Sequence, residues 1–211
     1  MLINEIYASI QGESTHAGRP CVFVRTAACN QRCTYCDTAY AFSRGEALHI
    51  DEVVSRALAP GIPLVEITGG EPLLQSLLPE LCRRLRERDC EVLIETGGSH
   101  DISVIPEGVN TILDIKTPGS GEERANDYGN LQRLRPGDEV KFVLTSREDY
   151  EWASALLKRE RLHERTTVLL SPAWGRIDAE ALAGWIVGDR LPARLNLQLH
   201  KYVWGPARRG V

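Results

Sequence analysis

Apolar residues fall in short runs separated by longer amphipathic stretches. CVFVRTA (21–27), LVEIT (64–68), EVLIET (91–96), TILDIK (111–116), VKFVLT (140–145), TVLLS (167–171) and RLNLQL (194–199) each read as a strand. Several are nearly continuous in apolar character, as expected of parallel strands covered on both faces. Between them, Leu73–Arg88 places leucines at 73, 74, 77, 78, 81 and 85, a helical stripe. Pro79 predicts a kink there or the start of a fresh helix. Arg147–His163 reads as a second helix capped by Ser146. Asp178–Val187 reads as a third, with Gly188 as its stop. Strand–helix alternation implies right-handed βαβ units. A closed eight-fold barrel takes about 250 residues. This chain has 211, and the stretch from Glu95 to Leu113 has room for little helix. The expected fold is α/β: a partial, open (β/α) barrel with a mostly parallel sheet, in a single domain spanning 1–211. Ligands are expected beyond the carboxyl ends of the strands.

Composition narrows the function class. Hydrophobic residues are 43% and charged residues 26%, as in soluble globular chains. The net charge of −4 lacks the basic excess of a general nucleic-acid or membrane-surface binder. No run approaches the roughly 18 apolar residues of a membrane helix. MLINEIYASIQGE carries no secretory pattern. The expected compartment is the cytoplasm, where the six cysteines stay reduced.

Three of those cysteines carry the strongest signal. Cys29, Cys33 and Cys36 follow the first apolar run as CxxxCxxC. Three soft thiolates on one loop suit a soft metal or an iron–sulfur cluster. Structural zinc needs four ligands, usually as two pairs, and no second pair lies nearby. Zinc or a solvated loop stays open as an alternative. Cys21, Cys82 and Cys90 read as small core residues. Farther on, Ile67-Thr68-Gly69-Gly70-Glu71-Pro72 ends a strand. Its glycines let the backbone approach a ligand closely, Glu71 can accept from an ammonium group, and Pro72 can open the next helix.

The run CNQRCTYC resembles the signature of the radical S-adenosylmethionine enzymes, and GGEP resembles that superfamily's second motif. The resemblance implies a 4Fe–4S cluster on Cys29, Cys33 and Cys36 whose open iron chelates S-adenosylmethionine. It implies that the reduced cluster splits the sulfonium to give a 5′-deoxyadenosyl radical, and that Glu71 holds the methionine amino group. SIQGEST, CDTAYA, ITGGEPLLQ and LQLHKYVWG extend the likeness from Ser9 to Trp204, and together resemble the 7-carboxy-7-deazaguanine synthase family of queuosine and other deazapurine pathways. That family converts 6-carboxy-5,6,7,8-tetrahydropterin to 7-carboxy-7-deazaguanine with loss of ammonia. It regenerates S-adenosylmethionine and needs magnesium.

Residue roles follow from the same resemblance. Thr38 would ligate Mg2+, a hard cation that suits oxygen ligands; helix capping is the plain alternative. Arg25 would hold the substrate carboxylate; a structural ion pair is its alternative. Ile10, Gln11 and Gly12 would form a substrate-facing turn. Glu13 would accept from the pterin amine edge, or else be a surface acid, and Thr68 would also touch substrate. Cofactor contacts are expected from Tyr35, Cys36, Asp37 and Gly70, from Asp114, Ile115 and Lys116, and from Ser171, Pro172, Ala173 and Trp174. Otherwise Lys116 is a strand-end surface lysine and Trp174 a packed core aromatic.

His200, at the end of the last predicted strand, would face the substrate or be a structural histidine. Tyr202, Val203 and Trp204 would anchor the tail against the barrel mouth, bringing the α-carboxylate of Val211 to the substrate. The resemblance further implies a flavodoxin or ferredoxin as electron donor and a homodimer. Two other functions share parts of the pattern. A glycyl-radical activating enzyme would carry CxxxCxxC and GGEP. A zinc-stabilised binding module would be colourless.

Overall fold

The computed structural model describes residues 1–211. Its strands are β1 (Leu2–Ile10), β2 (Pro20–Thr26), β3 (Glu46–Ala47), β4 (Leu64–Gly69), β5 (Glu91–Thr96), β6 (Asn110–Asp114), β7 (Glu139–Leu144), β8 (Thr167–Pro172) and β9 (Arg194–Leu195). They form one sheet in the order β3-β1-β2-β4-β5-β6-β7-β8-β9. From β2 to β9 every neighbour is parallel, while β1 lies antiparallel to β2 and β3. The sheet is open, as the chain length implies. The helices are α1 (Ile50–Leu58), α2 (Leu78–Arg86), α3 (Asn130–Arg133), α4 (Arg147–Arg159), α5 (Ala179–Gly188) and α6 (Leu199–Trp204).

Strand periodicity decides what each face carries. One set of alternate residues, Val22, Val24, Val65, Ile67, Ile94 and Phe142 among them, joins the main core with α1, α2 and α4. Each such side chain contributes about 1.5–3 kcal/mol on full burial. The other set points inside the curved sheet. There Cys21, Phe23, Leu64, Leu93 and Ile112 form a small apolar plug. Further along the same faces come Arg25, Glu66, Thr68, Glu95, Asp114 and Lys141. The plug closes the amino end of the barrel, and the polar residues lie toward its carboxyl end.

Four local expectations change. Leu73–Arg88 is not one helix: a 3-10 turn at Pro72–Leu74 precedes α2, and Pro79 sits in the first turn of α2. Arg147–His163 stops at Arg159. RLNLQL keeps only Arg194–Leu195 as strand. Asn196 is instead drawn to β8, its side chain donating to Ser171 Oγ (2.8 Å), and the chain turns into α6. His200 and Lys201 therefore lie on a helix. Finally, β1 has no apolar run to announce it, because as an antiparallel strand it is mostly half-buried.

Candidate active site

The loop after β2 carries Cys29, Cys33 and Cys36, all free and half-buried. Backbone ties shape it: Ala28 N donates to Ala41 O (3.0 Å), Thr34 N to Ser120 O (2.9 Å) and Cys36 N to Cys33 O (3.1 Å). Gln31 N donates to Cys29 Sγ (3.4 Å) and Arg32 N to Glu122 Oε1 (2.7 Å). Burial pushes the Cys29 thiol up and the Cys33 thiol to about 11. Cys21, Cys82 and Cys90 lie in the core instead, apart from this loop.

The turn after β4 docks directly on this loop. Gly70 N donates to Thr26 O (3.0 Å) and Glu71 N to Ala28 O (2.8 Å). Gly69 has φ +145°, and a Cβ on Gly70 would run into the Ala28 carbonyl. Glu71 has a structural role as well. Its side chain is fully buried and accepts from Leu73 N (2.9 Å), Thr96 Oγ1 (2.8 Å) and Gly97 N (2.8 Å). The carboxylate joins the ends of β4 and β5. Glu71→Ala is expected to lower stability by about 2–4 kcal/mol, since it orphans several buried donors; calorimetry should show Glu71→Gln losing much less.

Beyond the plug, the inner face opens into a cavity of about 590 Å3 bounded by the cluster loop, the turn Ile10–Glu13, the strand ends and the tail. Arg25 lines it while also making a structural pair, so both readings of it meet in one side chain. Its Nε donates to Glu5 Oε1 (2.8 Å) and its Nη2 to Tyr7 OH (2.9 Å). Burial opposes its charge, but Tyr7, Tyr40 and Glu5 outweigh that and keep it protonated.

The turn before β2 clasps the open sheet. Gln11 donates to Glu66 and accepts from Glu13 N (2.8 Å) through Oε1. Gly12 O accepts from Leu199 N (2.8 Å), and a Cβ on Gly12 would strike the His200 ring. Glu13 is no surface acid. It accepts from Lys141 Nζ (3.0 Å) and Gln198 Nε2 (3.0 Å). Burial alone would raise its carboxyl, but Lys141, Gln198 and His200 together bring it down to about 2. Thr68 and His200 line the same end, and burial lowers the His200 imidazole.

The other end of the cavity holds the residues expected at a cofactor. Tyr35, Cys36, Asp37, Thr38, Gly70 and Asp114 all line it, as do Lys116, Ala173 and Trp174. Lys116 is not a surface lysine: its buried Nζ donates to Asp114 Oδ2 (2.8 Å). Nor is Trp174 a core aromatic. It is 43% exposed and meets Tyr202 edge-on at 5.1 Å. Thr38 does not use its hydroxyl to cap the following 3-10 turn; its partner is Cys36 Sγ at 3.7 Å. Ile115, Ser171 and Pro172 stand back from the cavity. The Ile115 side chain points into the main core, Ser171 bonds Asn196, and none of the three reaches the cavity wall.

The tail closes the remaining side. Residues 206–211 line the cavity, Val211 included. Apolar burial holds it little, for Tyr202 is 55% and Val203 54% exposed and Tyr202 meets Trp174 only edge-on. Polar ties hold it instead. Lys201 Nζ pairs with Asp37 Oδ2 (2.6 Å), and the Arg209 guanidinium lies 4.2 Å over the Tyr40 ring. Glu66, Glu95, Lys141 and Lys201 were missed by sequence reasoning. Only Glu66 carried a signal, as a charged residue on the same strand face two positions before Thr68.

A profile of the radical SAM superfamily matches residues 23–119. The 7-carboxy-7-deazaguanine synthase of Koribacter versatilis is 43% identical over 228 residues, with all of both chains covered. That of Chlorobaculum tepidum is 45% identical over 212 residues, covering 99% of this chain and 96% of its own. The chain belongs to the 7-carboxy-7-deazaguanine synthase family. The fold agrees: the crystal structure of QueE from Escherichia coli superimposes with a TM-score of 0.78 at 22% identity, covering 94% of each chain. SuiB from Streptococcus suis shares the fold more distantly, with a TM-score of 0.57 over 83% of this chain.

Radical SAM membership implies a 4Fe–4S cluster and S-adenosylmethionine. The residues fit both groups. Three free soft thiols share one loop at the cavity edge. Beside them Tyr35 OH and Asp114 Oδ1 are buried without any hydrogen-bond partner. Such atoms call for a ligand. Gly69 and Gly70 let the strand end pack directly on the backbone of Thr26 and Ala28 at the cavity edge. No helix of the structure is long and apolar enough to cross a membrane.

Proposed function

We propose that this chain converts 6-carboxy-5,6,7,8-tetrahydropterin to 7-carboxy-7-deazaguanine with loss of ammonia, and that the product serves queuosine or another deazapurine route. The observation that carries this reading is the single cavity in which the CxxxCxxC loop meets the Gln11–Glu13 turn, in a chain alike over its full length to the family's synthases. Cys29, Cys33 and Cys36 would hold the cluster. Tyr35, Cys36, Asp37, Gly70, Asp114, Lys116, Ala173 and Trp174 would surround S-adenosylmethionine. When bound, these groups supply the 5′-deoxyadenosyl radical that begins the reaction.

The chain's own residues then position and shield the substrate. Arg25, fixed by Glu5 and Tyr7, would receive the substrate carboxylate through its remaining N–H groups. Ile10, Gln11, Gly12 and Thr68 would border the ring, Glu13 would accept from its amine edge, and His200 would pack against the turn. The Val211 carboxylate would accept from the substrate's donor edge. The tail would keep water out. Thr38 would ligate Mg2+ together with substrate oxygens, because its hydroxyl faces the cavity free of a capping role. Thr38→Ala is expected to keep cluster content and S-adenosylmethionine affinity while losing most of the response of turnover to magnesium. An unchanged magnesium titration would overturn that role.

The reductant would be a flavodoxin or ferredoxin, the assembly a homodimer and the compartment cytoplasmic. Full-length likeness to synthases favours this reading over a glycyl-radical activating enzyme or a zinc module. Its test is anaerobic turnover of the carboxy-tetrahydropterin by reconstituted protein, with the product identified by mass. A brown protein that forms no 7-carboxy-7-deazaguanine would refute it.

A further inference from the structure

Lys141, on the inner face of β7, is 3% exposed at the cavity floor. Its ammonium gathers acids from separate parts of the chain. It donates to Glu13 Oε2 in the turn before β2 (3.0 Å) and to Glu95 Oε1 on β5, with Asp114 Oδ2 of β6 at 4.0 Å. A buried ammonium is tolerated only with such partners. The partners gain a fixed direction in return. Glu95 spends one oxygen on Lys141; no protein donor reaches its other oxygen, and Glu95 lines the cavity. Glu13 is held at both oxygens by Lys141 and Gln198. Two carboxyl groups from separate parts of the chain thus meet on one ammonium at the cavity floor.

We propose that Lys141 is a positioning residue: clamped between Glu13 and Glu95, it presents the two carboxylates as a paired acceptor for a ligand edge rich in N–H donors. The proposal rests on the reading of the substrate as a pterin, whose amino-pyrimidinone edge carries such donors. A lysine suits the task because its compact charge reaches several carboxylates at once. Acids and bases face this point in equal number: Glu13 from the turn, Glu66 from β4, Glu95 from β5 and Asp114 from β6, with Lys141, Lys116, Arg25 and the His200 ring opposite them. Without Lys141 the carboxyls of Glu13 and Glu95 would protonate at higher pH, because the largest influence lowering each is that lysine.

The test compares Lys141→Met, Lys141→Gln and Lys141→Arg with the wild type. The neutral variants are expected to raise KM and equilibrium Kd for the carboxy-tetrahydropterin by about 10- to 100-fold, the scale of one charge-assisted hydrogen bond. The acid limb of kcat/KM should move to higher pH. Iron and sulfide content and the S-adenosylmethionine Kd should stay in place, and Lys141→Arg should restore much of the substrate affinity. The proposal falls if substrate affinity and the acid limb do not move. It falls equally if cluster content drops in step with affinity, or if none of the three variants folds, since Lys141 is then a structural residue. Failure of the wild type itself to turn over the pterin would instead strike the functional reading.

Discussion

Cys29→Ala, Cys33→Ala and Cys36→Ala are each expected to abolish the brown colour and turnover of the anaerobically reconstituted protein. Each removes one of three thiols sharing one loop at the cavity edge, and a cluster held by three cysteines has no spare protein ligand. Cys82→Ala and Cys90→Ala should keep iron, sulfide and activity. Their thiols are buried in the main core, where burial pushes that of Cys82 to about 12 and leaves it an inert apolar group. Their cost is one of packing, about 1–2 kcal/mol for small core truncations. Iron and sulfide analysis with absorbance near the cluster bands decides the matter. Cluster loss in Cys82→Ala with the fold intact would end the three-ligand assignment.

Gly70→Ala should be nearly as damaging, although Gly70 is itself no metal ligand; its added Cβ would also come within 3.1 Å of Cys29 Cβ. An added Cβ would meet the Ala28 carbonyl, which belongs to backbone and cannot swing aside. Ala28 is itself held, with φ +72° and its N–H tied to Ala41 O. The turn after β4 and the cluster loop must therefore move apart. Strain of this kind costs about 1–3 kcal/mol, and at this chain length each kcal/mol lowers Tm by about 2–4 °C. Displacing the loop should also lower cluster loading. Gly184→Ala, in α5 with nothing near its added Cβ, is the control. It should hold or raise Tm, since alanine is favoured over glycine by about 1 kcal/mol inside a helix. Equal melting and equal iron content in the two variants would show that the close approach at Gly70 does not matter.

The sequence by itself determined the parallel strands, their order of appearance and the chemistry of the cluster loop. The reason is that each is a local property. A nearly continuous apolar run such as LVEIT or EVLIET marks a strand of a covered parallel sheet, and CxxxCxxC places its thiols on one loop. The helix signal of Ser146 is equally local, and it does cap α4, while Asp178, read as the first residue of its helix, caps α5 instead. Most predicted site residues reach one cavity because they sit at the carboxyl ends of strands, where any open parallel sheet gathers its loops.

Tertiary structure decided what depends on partners far along the chain. The structural role of Glu71, joining the ends of β4 and β5, shows only when Thr96 and Gly97 are seen to donate to its oxygens. Ile115 and Ser171 read as neighbours of Asp114 and Ala173, but strand alternation sends the Ile115 side chain into the main core and Asn196 engages the Ser171 hydroxyl. RLNLQL has the alternation of a strand, yet only two of its residues find a parallel neighbour in β8, and the rest is captured by Ser171 and by the turn at Gly12. Lys141 and Glu95 passed for strand residues because one charge in an apolar run shows no pattern. Their meaning appears when curvature of the sheet brings β5, β7 and the Glu13 turn together. Pairing of buried charges is a three-dimensional sum over such neighbours, and no window along the sequence contains its terms.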